Sequence, residues 1–215
     1  MKKKCKICNS GTTEIFQKDS GIKYYFCSQC EFIFKDEASS ISRQEELERY
    51  NLHNNSYDDG SYVEYFKKFI NNAVLDYSNS KKGLDFGSGP YPVLAIILEK
   101  EYGFKMDIYD LFYSPYRIYE GKKYNLITAT EVVEHLQKPL DYFYLFKQCL
   151  DSDSLLAVMT LFHPGDKQQF LDWYYTRDDC HRSFYNLNTM KNIAKRVGLK
   201  VIYTDNYRYI SFKPV

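Results

Sequence analysis

The sequence predicts an α/β fold with a mainly parallel sheet, preceded by a small cysteine-bound unit. Short apolar runs alternate with helical patterns from about residue 83 to residue 213, as in sheets whose strands are joined by crossover helices. The first run ends in an acid and a Gly-x-Gly turn, Asp85-Phe86-Gly87-Ser88-Gly89, and the second ends at Asp110. Two Cys-x2-Cys pairs come before this region. We therefore divide the chain into a metal-binding unit over 1–40, a helical linker or lid over 41–80 and a Rossmann-like domain over 81–215.

The first unit is defined by four cysteines, Cys5, Cys8, Cys27 and Cys30. Each pair can form a tight turn, or knuckle, whose two thiolates face one ion, and the 18 residues between the pairs suffice for a short hairpin. Four thiolates suit tetrahedral zinc with a closed coordination shell, so the spacing predicts a structural zinc-ribbon-like site. The alternative is a pair of reduced knuckles without metal. We expect strands over 24–26 and 32–34.

The linker contains two helical patterns. Residues 44–52 follow a serine-rich stretch, and an amphipathic helix is expected over 62–77. Aromatic and aliphatic residues recur at helical spacing in the second pattern: Tyr62, Phe66, Phe69, Ile70, Ala73 and Tyr77. This helix is expected to cover the open edge of a ligand site.

The Rossmann-like domain reads as strands and helices in alternation. Strands are expected over 83–86, 104–109, 124–128, 155–160, 200–204 and 207–213, and helices over 92–102, 138–150 and 188–198. Asn188 is the expected N-cap of the last helix and Gly198 its end. Only 13 residues separate Asp110 from Tyr124, too few for a full crossover helix and strand. The third strand is therefore expected to be short or replaced by a loop over 114–120.

The glycine turn and Asp110 suggest a nucleotide-type ligand over the carboxyl ends of two neighbouring strands. Glycines let the backbone approach such a ligand, and the second carboxylate can accept both ribose hydroxyls. The alternative role for Asp85 is an acid that stabilises the turn through backbone N–H groups.

Composition excludes some classes of partner. Lys plus Arg is 29 and Asp plus Glu is 28, so the whole chain carries no basic footprint for nucleic acid. No stretch has the length of a membrane span, and no apolar segment follows the basic start as it would in a signal peptide. We expect a cytoplasmic protein with no membrane partner.

Two segments together carry a family resemblance. Leu84-Asp85-Phe86-Gly87-Ser88-Gly89-Pro90 and Tyr124-Asn125-Leu126-Ile127-Thr128-Ala129-Thr130-Glu131-Val132-Val133-Glu134-His135 resemble motifs of class I S-adenosylmethionine-dependent methyltransferases. The likeness is to the branch with a Glu-Val-x-Glu-His motif after the fourth strand, and Trp173, Asp178, His181 and Phe184 are similar to a late block of that branch. The N-terminal four-cysteine unit accompanies some of these enzymes.

The resemblance implies a cofactor site. Asp85, Gly87, Ser88 and Gly89 would cradle the methionine part of S-adenosylmethionine, and Asp110 would hold the ribose. Leu111 and Phe112 would lie against the adenine, and Thr130, Glu131 and Val132 would border the cofactor. The chain departs from the family at Tyr91, where a third glycine is usual, and a tyrosine there would either crowd the cofactor or turn outward.

Two histidines are candidates for catalysis. His135 lies four residues after Glu131 on an expected helical turn, so it faces the pocket mouth or packs under the sheet. His181 follows Asp178 and Asp179, so a carboxylate can orient its ring as a general base, and otherwise it is a surface-loop histidine. His163 is read as a substrate-entry or an ordinary turn residue.

Three readings of function remain open. The first is a methyltransferase for a small-molecule acceptor, with an acceptor pocket or a packed helix formed by Trp173, Tyr174, Tyr175, Phe184 and Tyr185. The second is an RNA methyltransferase that grips RNA through Lys2, Lys3, Lys4 and Lys6 beside the knuckles. The third is a non-catalytic binding module whose cofactor site is blocked by Tyr91.

Overall fold

A computed structural model describes residues 3–18, 20–52, 56–78 and 81–215. The strands are β1 (Thr13–Phe16), β2 (Lys23–Phe26), β3 (Ile33–Lys35), β4 (Lys82–Phe86), β5 (Lys105–Tyr109), β6 (Tyr124–Thr130), β7 (Leu150–Met159), β8 (Ser183–Phe184), β9 (Leu199–Thr204) and β10 (Tyr209–Pro214). The α-helices are α1 (Arg43–Tyr50), α2 (Gly60–Ala73), α3 (Val93–Tyr102), α4 (Pro139–Cys149), α5 (Lys167–Asp172) and α6 (Leu187–Val197).

The central sheet has six strands in the order β5-β4-β6-β7-β10-β9. The first four strands are parallel, and β10 runs antiparallel to both of its neighbours. Chain order reverses between β4 and β6, and ligands of open α/β sheets bind at such a switch point, outside the carboxyl ends of the strands. This mixed sheet confirms the predicted α/β class.

The predicted loss of the third strand is confirmed. After β5 the chain turns back on itself, because Asp110 and Ser114 exchange backbone hydrogen bonds of 3.0 and 3.2 Å. Residues 110–123, all described, contain no strand before β6 begins at Tyr124. The sheet therefore has its β5 edge open.

Helices cover both faces of the sheet. On one face Phe69 and Ile70 of α2 are fully buried with Ile97 and Leu98 of α3. On the other face α4 packs against α6, and their buried side chains include Phe143, Phe146, Met190 and Ile193. The amphipathic pattern predicted for α2 is confirmed at its buried residues Phe66, Phe69, Ile70 and Ala73.

The start of α6 differs from the prediction. Asn186, with an extended backbone (φ −136°), is the N-cap, and its side-chain oxygen accepts a hydrogen bond from the Thr189 amide at 2.9 Å. Asn188 lies inside the helix, so the prediction that it is the N-cap is wrong. Both asparagines suit the role by residue type, and the extended backbone at Asn186 decides between them. Gly198, at φ +74°, ends the helix as predicted.

The N-terminal unit forms a second sheet that continues into the α/β domain. Its order is β1-β2-β3-β8, so the last strand comes from residues 183–184. The Lys35 amide also donates to the Arg182 carbonyl at 2.9 Å. The cysteine-bound unit is therefore joined by backbone hydrogen bonds to the segment that carries His181.

No helix in the described part of the chain has both the length and the apolar content that a bilayer crossing requires.

Candidate active site

A pocket of about 1020 Å³ opens at the carboxyl ends of β4, β5 and β6. Its size is at the upper end of the range of small-molecule sites. All twelve residues predicted for cofactor binding or catalysis line it: Asp85, Gly87, Ser88, Gly89, Asp110, Leu111, Phe112, Thr130, Glu131, Val132, His135 and His181. The helix α2 forms part of its wall through Tyr62, Tyr65 and Phe66, in line with the lid expected there.

The glycine turn is fixed to the neighbouring strand. The amides of Gly87 and Ser88 both donate to the carbonyl of Tyr109, at 2.7 and 3.1 Å. Gly87 (φ +86°) and Gly89 (φ +69°) adopt backbone conformations that side chains disfavour. A Cβ atom at Gly87 would also overlap Val132, so the turn and the segment after β6 are in direct contact.

Asp110 links the turn to the end of β5. Its Oδ2 accepts a hydrogen bond from the Gly89 amide at 2.9 Å. Its Oδ1 accepts from the amides of Phe112 and Tyr113, at 2.9 and 3.1 Å. These bonds hold the carboxylate at the pocket wall, between the two loops that a ligand would touch.

Asp85 is buried beneath the turn, with 2% of its surface exposed. Its Oδ1 accepts a hydrogen bond from the Thr128 hydroxyl at 2.8 Å. Burial raises the pKa of Asp85 to about 7, the Thr128 hydrogen bond opposes this, and the charge of Asp110 adds to it. Both protonation states are therefore accessible near neutral pH, and a positively charged partner nearby would favour the ionised one.

Tyr91 lies at the rim of the pocket and is 45% exposed. Its ring is therefore partly exposed to solvent, which favours the outward orientation over the crowding one.

Glu131 lies deeper and has a left-handed backbone (φ +52°). Its Oε1 accepts from the Tyr65 hydroxyl at 2.6 Å, and its Oε2 accepts from the Tyr175 hydroxyl at 3.1 Å. The Tyr175 hydroxyl also contacts Oε1 of the fully buried Glu134 at very short range. Burial, together with the charge of Glu131, raises the pKa of Glu134 well above its ordinary value.

The two candidate histidines are neighbours, with ring centroids 4.9 Å apart. The Nδ1 of His135 lies 3.3 Å from the Cys180 carbonyl oxygen, and the Nδ1 of His181 lies 2.8 Å from the Tyr175 carbonyl oxygen. Because a carbonyl oxygen only accepts, each Nδ1 carries a hydrogen and each Nε2 keeps its lone pair. Burial lowers the pKa of both rings, that of His135 to about 3, so both are neutral at pH 7.

The carboxylate expected to orient His181 is Asp178, whose Oδ2 lies 3.6 Å from Nε2. Asp179 instead pairs with Arg49 at 2.5 Å. The His181 ring is therefore oriented mainly by the Tyr175 carbonyl, at 2.8 Å, and less by Asp178.

Other predicted candidates lie elsewhere. His163 is 4% exposed and uses both ring nitrogens, with Nε2 at 2.8 Å from the Glu31 carbonyl oxygen and Nδ1 accepting from the Gly165 amide at 3.1 Å. It braces the junction with the N-terminal unit, which is a structural role. Of the predicted aromatic cluster, Tyr174 and Tyr175 line the pocket, whereas Phe184 and Tyr185 are buried in the core.

Sequence reasoning missed Tyr65 and Tyr50 as pocket residues. Tyr50 ends α1 and contacts both Phe112 and His135, with ring centroids 5.6 and 5.5 Å apart. The polar contact of Tyr65 with Glu131 spans 66 residues of sequence, and a helical pattern reveals only which face is apolar.

The four cysteines of the N-terminal unit also converge. Their sulfur atoms lie within 4.8 Å of one another, with Sγ–Sγ distances of 3.5 Å for Cys5–Cys30 and 3.3 Å for Cys8–Cys27. Four thiolates around tetrahedral zinc at about 2.3 Å would be about 3.8 Å apart, so little adjustment is needed. Both knuckles share one shape, because the residue after the second cysteine (Asn9 or Glu31) has a left-handed backbone in each.

Comparison with known proteins agrees with this geometry. A family model described as a methyltransferase domain matches residues 59–204. No curated protein matches the chain significantly.

Among solved structures, the mitomycin 7-O-methyltransferase MmcR is similar with a TM-score of 0.54 and 11% identity, over 71% of this chain and 54% of that one. An O-methyltransferase family protein from Burkholderia thailandensis is similar with a TM-score of 0.54 and 9% identity, over 74% of this chain and 58% of that one. The O-methyltransferase NcsB1 was solved with S-adenosyl-L-homocysteine and 1,4-dihydroxy-2-naphthoic acid. It is similar with a TM-score of 0.52 and 10% identity, over 81% of this chain and 62% of that one.

At such low identity these likenesses show the fold alone, and the chain spans between half and two thirds of the length of these proteins. The family model covers more than half of the chain, including β4 to β9, the glycine turn and Glu131. The chain therefore belongs to the methyltransferase-domain family.

Proposed function

We propose that the protein is an S-adenosylmethionine-dependent methyltransferase that acts on a small-molecule acceptor. One observation carries this proposal: the glycine turn, Asp110 and Glu131, from three different strand ends, meet on one pocket of about 1020 Å³. Membership of the methyltransferase-domain family supports it.

In this proposal the Gly87–Gly89 turn receives the methionine part of the cofactor, and Asp110 accepts the ribose hydroxyls. Leu111 and Phe112 flank the adenine, while Ser88, Thr130 and Val132 border the cofactor. The carboxylates of Asp85 and Glu131 offer negative charge to the sulfonium and ammonium groups. The exposed position of Tyr91 at the rim supports an open cofactor site over a blocked one.

The acceptor side is lined by tyrosines, among them Tyr50, Tyr65, Tyr174 and Tyr175. Such rings suit an aromatic acceptor with a hydroxyl, and the naphthoic acid bound by NcsB1 is of that chemical class. In the transfer, the sulfur–methyl bond breaks as the acceptor oxygen–methyl bond forms, S-adenosylhomocysteine leaves, and the proton of the acceptor hydroxyl passes to a neutral imidazole. Positioning supplies most of the acceleration of such a displacement. His135 and His181, neutral with a free Nε2, are the groups we propose to act on the acceptor oxygen.

The four-cysteine cluster is proposed to bind structural zinc. Its sulfur atoms already surround one point, and none of the four cysteines lines the pocket.

An RNA acceptor has less support. Lys3 pairs with Asp36 at 3.2 Å and Lys6 with Glu37 at 3.1 Å, so two of the lysines proposed to grip RNA have carboxylate partners. Lys4 is exposed, and Lys2 lies outside the described residues.

Calorimetric titration of the zinc-loaded protein with S-adenosylmethionine and S-adenosylhomocysteine tests the proposal. We expect micromolar binding, lost in Asp110→Ala and retained in Glu120→Ala, an exposed acid outside the pocket. Absence of binding by folded, zinc-loaded protein would overturn the enzyme proposal in favour of a binding module.

A further inference from the structure

Three side chains with free electron pairs converge beneath Glu131. Glu134, His135 and His181 each offer a ligand atom, and the three atoms lie within 4.8 Å of one another. Glu134 and His135 belong to the 3₁₀ turn Val133–His135 after β6, and His181 comes from the segment just before β8. Two distant parts of the chain thus bring imidazole and carboxylate groups to one point.

The Glu134 carboxylate is the most informative member. The side chain is fully buried, and its Oε2 has no hydrogen-bond partner in the described part of the chain. Buried side-chain oxygens almost always have a partner, because an unsatisfied one loses its hydration without compensation. An oxygen atom without a partner, buried beside two imidazoles, therefore indicates that a ligand-binding partner is missing from this point.

The imidazoles are prepared in the way that metal ligands usually are. His135 and His181 each direct Nδ1–H to a backbone carbonyl, at 3.3 and 2.8 Å. This contact fixes the tautomer and leaves the Nε2 lone pair free, and metal-binding histidines commonly have such a second partner. The structural His163 uses both of its ring nitrogens, whereas among the described residues no hydrogen bond within 3.5 Å engages the Nε2 of His135 or His181.

In the part of the chain that the structure describes, the two acidic side chains also lack a cationic partner. Glu131 and Glu134 share the single hydroxyl hydrogen of Tyr175. Among the described residues, the ion pairs within 4.0 Å include neither carboxylate, and the nearby Arg182 is paired with Glu46 at 3.1 Å. Buried carboxylates are usually paired with cations or coordinate metals.

We propose that Glu134, His135 and His181, with Glu131 at their edge, bind a divalent first-row transition-metal cation within the pocket. Two imidazoles with carboxylates favour Mn²⁺, Fe²⁺, Co²⁺ or Zn²⁺ over Ca²⁺ and Mg²⁺. The site differs from the four-cysteine cluster, since it has harder ligands and leaves coordination positions open towards the pocket.

A cation at this site would take part in binding the acceptor, an inference that rests on the proposed function. An ion with open positions can bind acceptor oxygens and lower the pKa of a bound hydroxyl. The lone pairs of His135 and His181 would then hold the ion, and the proton of the bound hydroxyl would leave to solvent in the pocket before the methyl group is transferred, instead of passing to an imidazole. The acceptors that fit are those with two neighbouring oxygen atoms, such as a vicinal dihydroxy aromatic compound.

The first test is a Mn²⁺ titration of the full, zinc-loaded chain followed by electron paramagnetic resonance of the free ion. Mn²⁺ has the lowest affinity of the first-row divalent ions and binds thiolates only weakly, so it does not displace zinc from the cysteine cluster. We expect one Mn²⁺ per chain, with affinity reduced at least about tenfold in Glu134→Gln and His181→Gln. Glu64→Gln, an exposed acid on α2, is the matched control and should bind as the wild type does.

A second measurement needs no variant and so does not depend on how Glu134→Gln folds. At a small fraction of one Mn²⁺ per chain, the ring proton resonances of His135 and His181 in the wild-type protein should broaden far more than those of His163, because paramagnetic broadening falls steeply with distance. No bound Mn²⁺, equal binding by all variants, or equal broadening of all three histidines would overturn the proposal. Because Mn²⁺ binding is measured without S-adenosylmethionine, and cofactor binding through Asp110, either proposal can fail while the other stands.

Discussion

Gly87 and Val132 are in such close contact that a Cβ atom at position 87 would overlap the Val132 side chain. Gly87 belongs to the turn after β4 and Val132 to the segment after β6, so the two segments in which the sequence resembles methyltransferases meet at this point. The glycine is required twice, once for its positive φ of +86° and once for lack of space. A side chain at position 87 would therefore displace Val132, which lines the same pocket.

Gly87→Ala should destabilise the protein and weaken S-adenosylmethionine binding. The positive φ alone costs about 1–2 kcal/mol, and the overlap with Val132 adds to this because the turn is held by two hydrogen bonds to Tyr109. Gly121→Ala is a matched control, since Gly121 has a similar φ of +73° with open space around it. Urea unfolding and calorimetry should show the larger loss for Gly87→Ala, partly restored by adding Val132→Ala. Equal losses at both glycines would contradict this account.

Asp85→Asn should make the protein more stable above neutral pH. The folded protein binds the Asp85 proton with a pKa of about 7, against an ordinary value of 3.8, so raising the pH from about 4 to 7 favours the unfolded chain. The substitution removes a cost of up to about 4 kcal/mol at pH 8 and changes little at pH 4. Charged groups around Asp85 include Asp110 and Glu131, both of which line the same pocket. Thermal unfolding across pH measures the effect.

Asp107→Asn on β5 is the control of opposite sign. Burial alone would raise the pKa of Asp107, but hydrogen bonds from Lys122 and Tyr124, at 2.8 and 2.7 Å, hold it below its ordinary value. Its stabilisation is present above the unfolded pKa and is lost as the pH falls, so this variant should be less stable than the wild type at neutral pH. If the wild-type protein were more stable than Asp85→Asn at pH 8, the raised pKa of Asp85 would be contradicted.

The sequence predicted those parts of the site that depend on local pattern. Gly87, Gly89 and Asp110 are found because a buried strand, a glycine turn and an acid follow one another within a few residues. The same holds for Cys5, Cys8, Cys27 and Cys30, whose spacing alone defines two knuckles. In each case the chemistry resides in one short segment.

Contacts between distant segments could not be predicted in this way. β8 has only two residues, too few for a period, so nothing indicated that Phe34 would pair with Ser183. Likewise, Glu134 lies in a segment that resembles a methyltransferase motif. Its burial beside His181 could not be predicted, because it depends on how β6 and the segment before β8 pack together. Tertiary packing decides such positions after local preferences are satisfied.

Tyr175→Phe should destabilise the fold without changing its shape. The hydroxyl contacts Glu131 and Glu134, and its loss would leave the buried Glu134 carboxyl with both oxygens unsatisfied. We expect a loss of about 1–3 kcal/mol in the free energy of unfolding, measured in urea. Tyr174→Phe, a neighbour that is 57% exposed, should stay within about 0.5 kcal/mol of the wild type. Similar values for the two variants would show that the hydroxyl makes no such contact.

Removal of zinc should lower the thermal stability of the protein. The knuckles brace the α/β domain through hydrogen bonds of 2.8 Å, from Thr189 to the Cys30 carbonyl and from His163 to the Glu31 carbonyl. Cys27→Ser should therefore lose its zinc and unfold at a lower midpoint, by about 2–4 °C for each kcal/mol of stability lost. Zinc content and calorimetric unfolding measure both effects, and Cys149→Ser, a buried cysteine outside the cluster, should keep its zinc.

The ligand-binding consequences follow from which strand carries each group. β8 pairs with β3 of the N-terminal unit and comes two residues after His181, so loss of the proposed zinc should weaken Mn²⁺ binding at Glu134, His135 and His181. The glycine turn and Asp110 are held by β4 and β5, at the far edge of the other sheet, so S-adenosylmethionine binding should survive below the lowered midpoint. If zinc loss abolished cofactor binding in folded protein while sparing Mn²⁺, the coupling through β3 and β8 would be wrong.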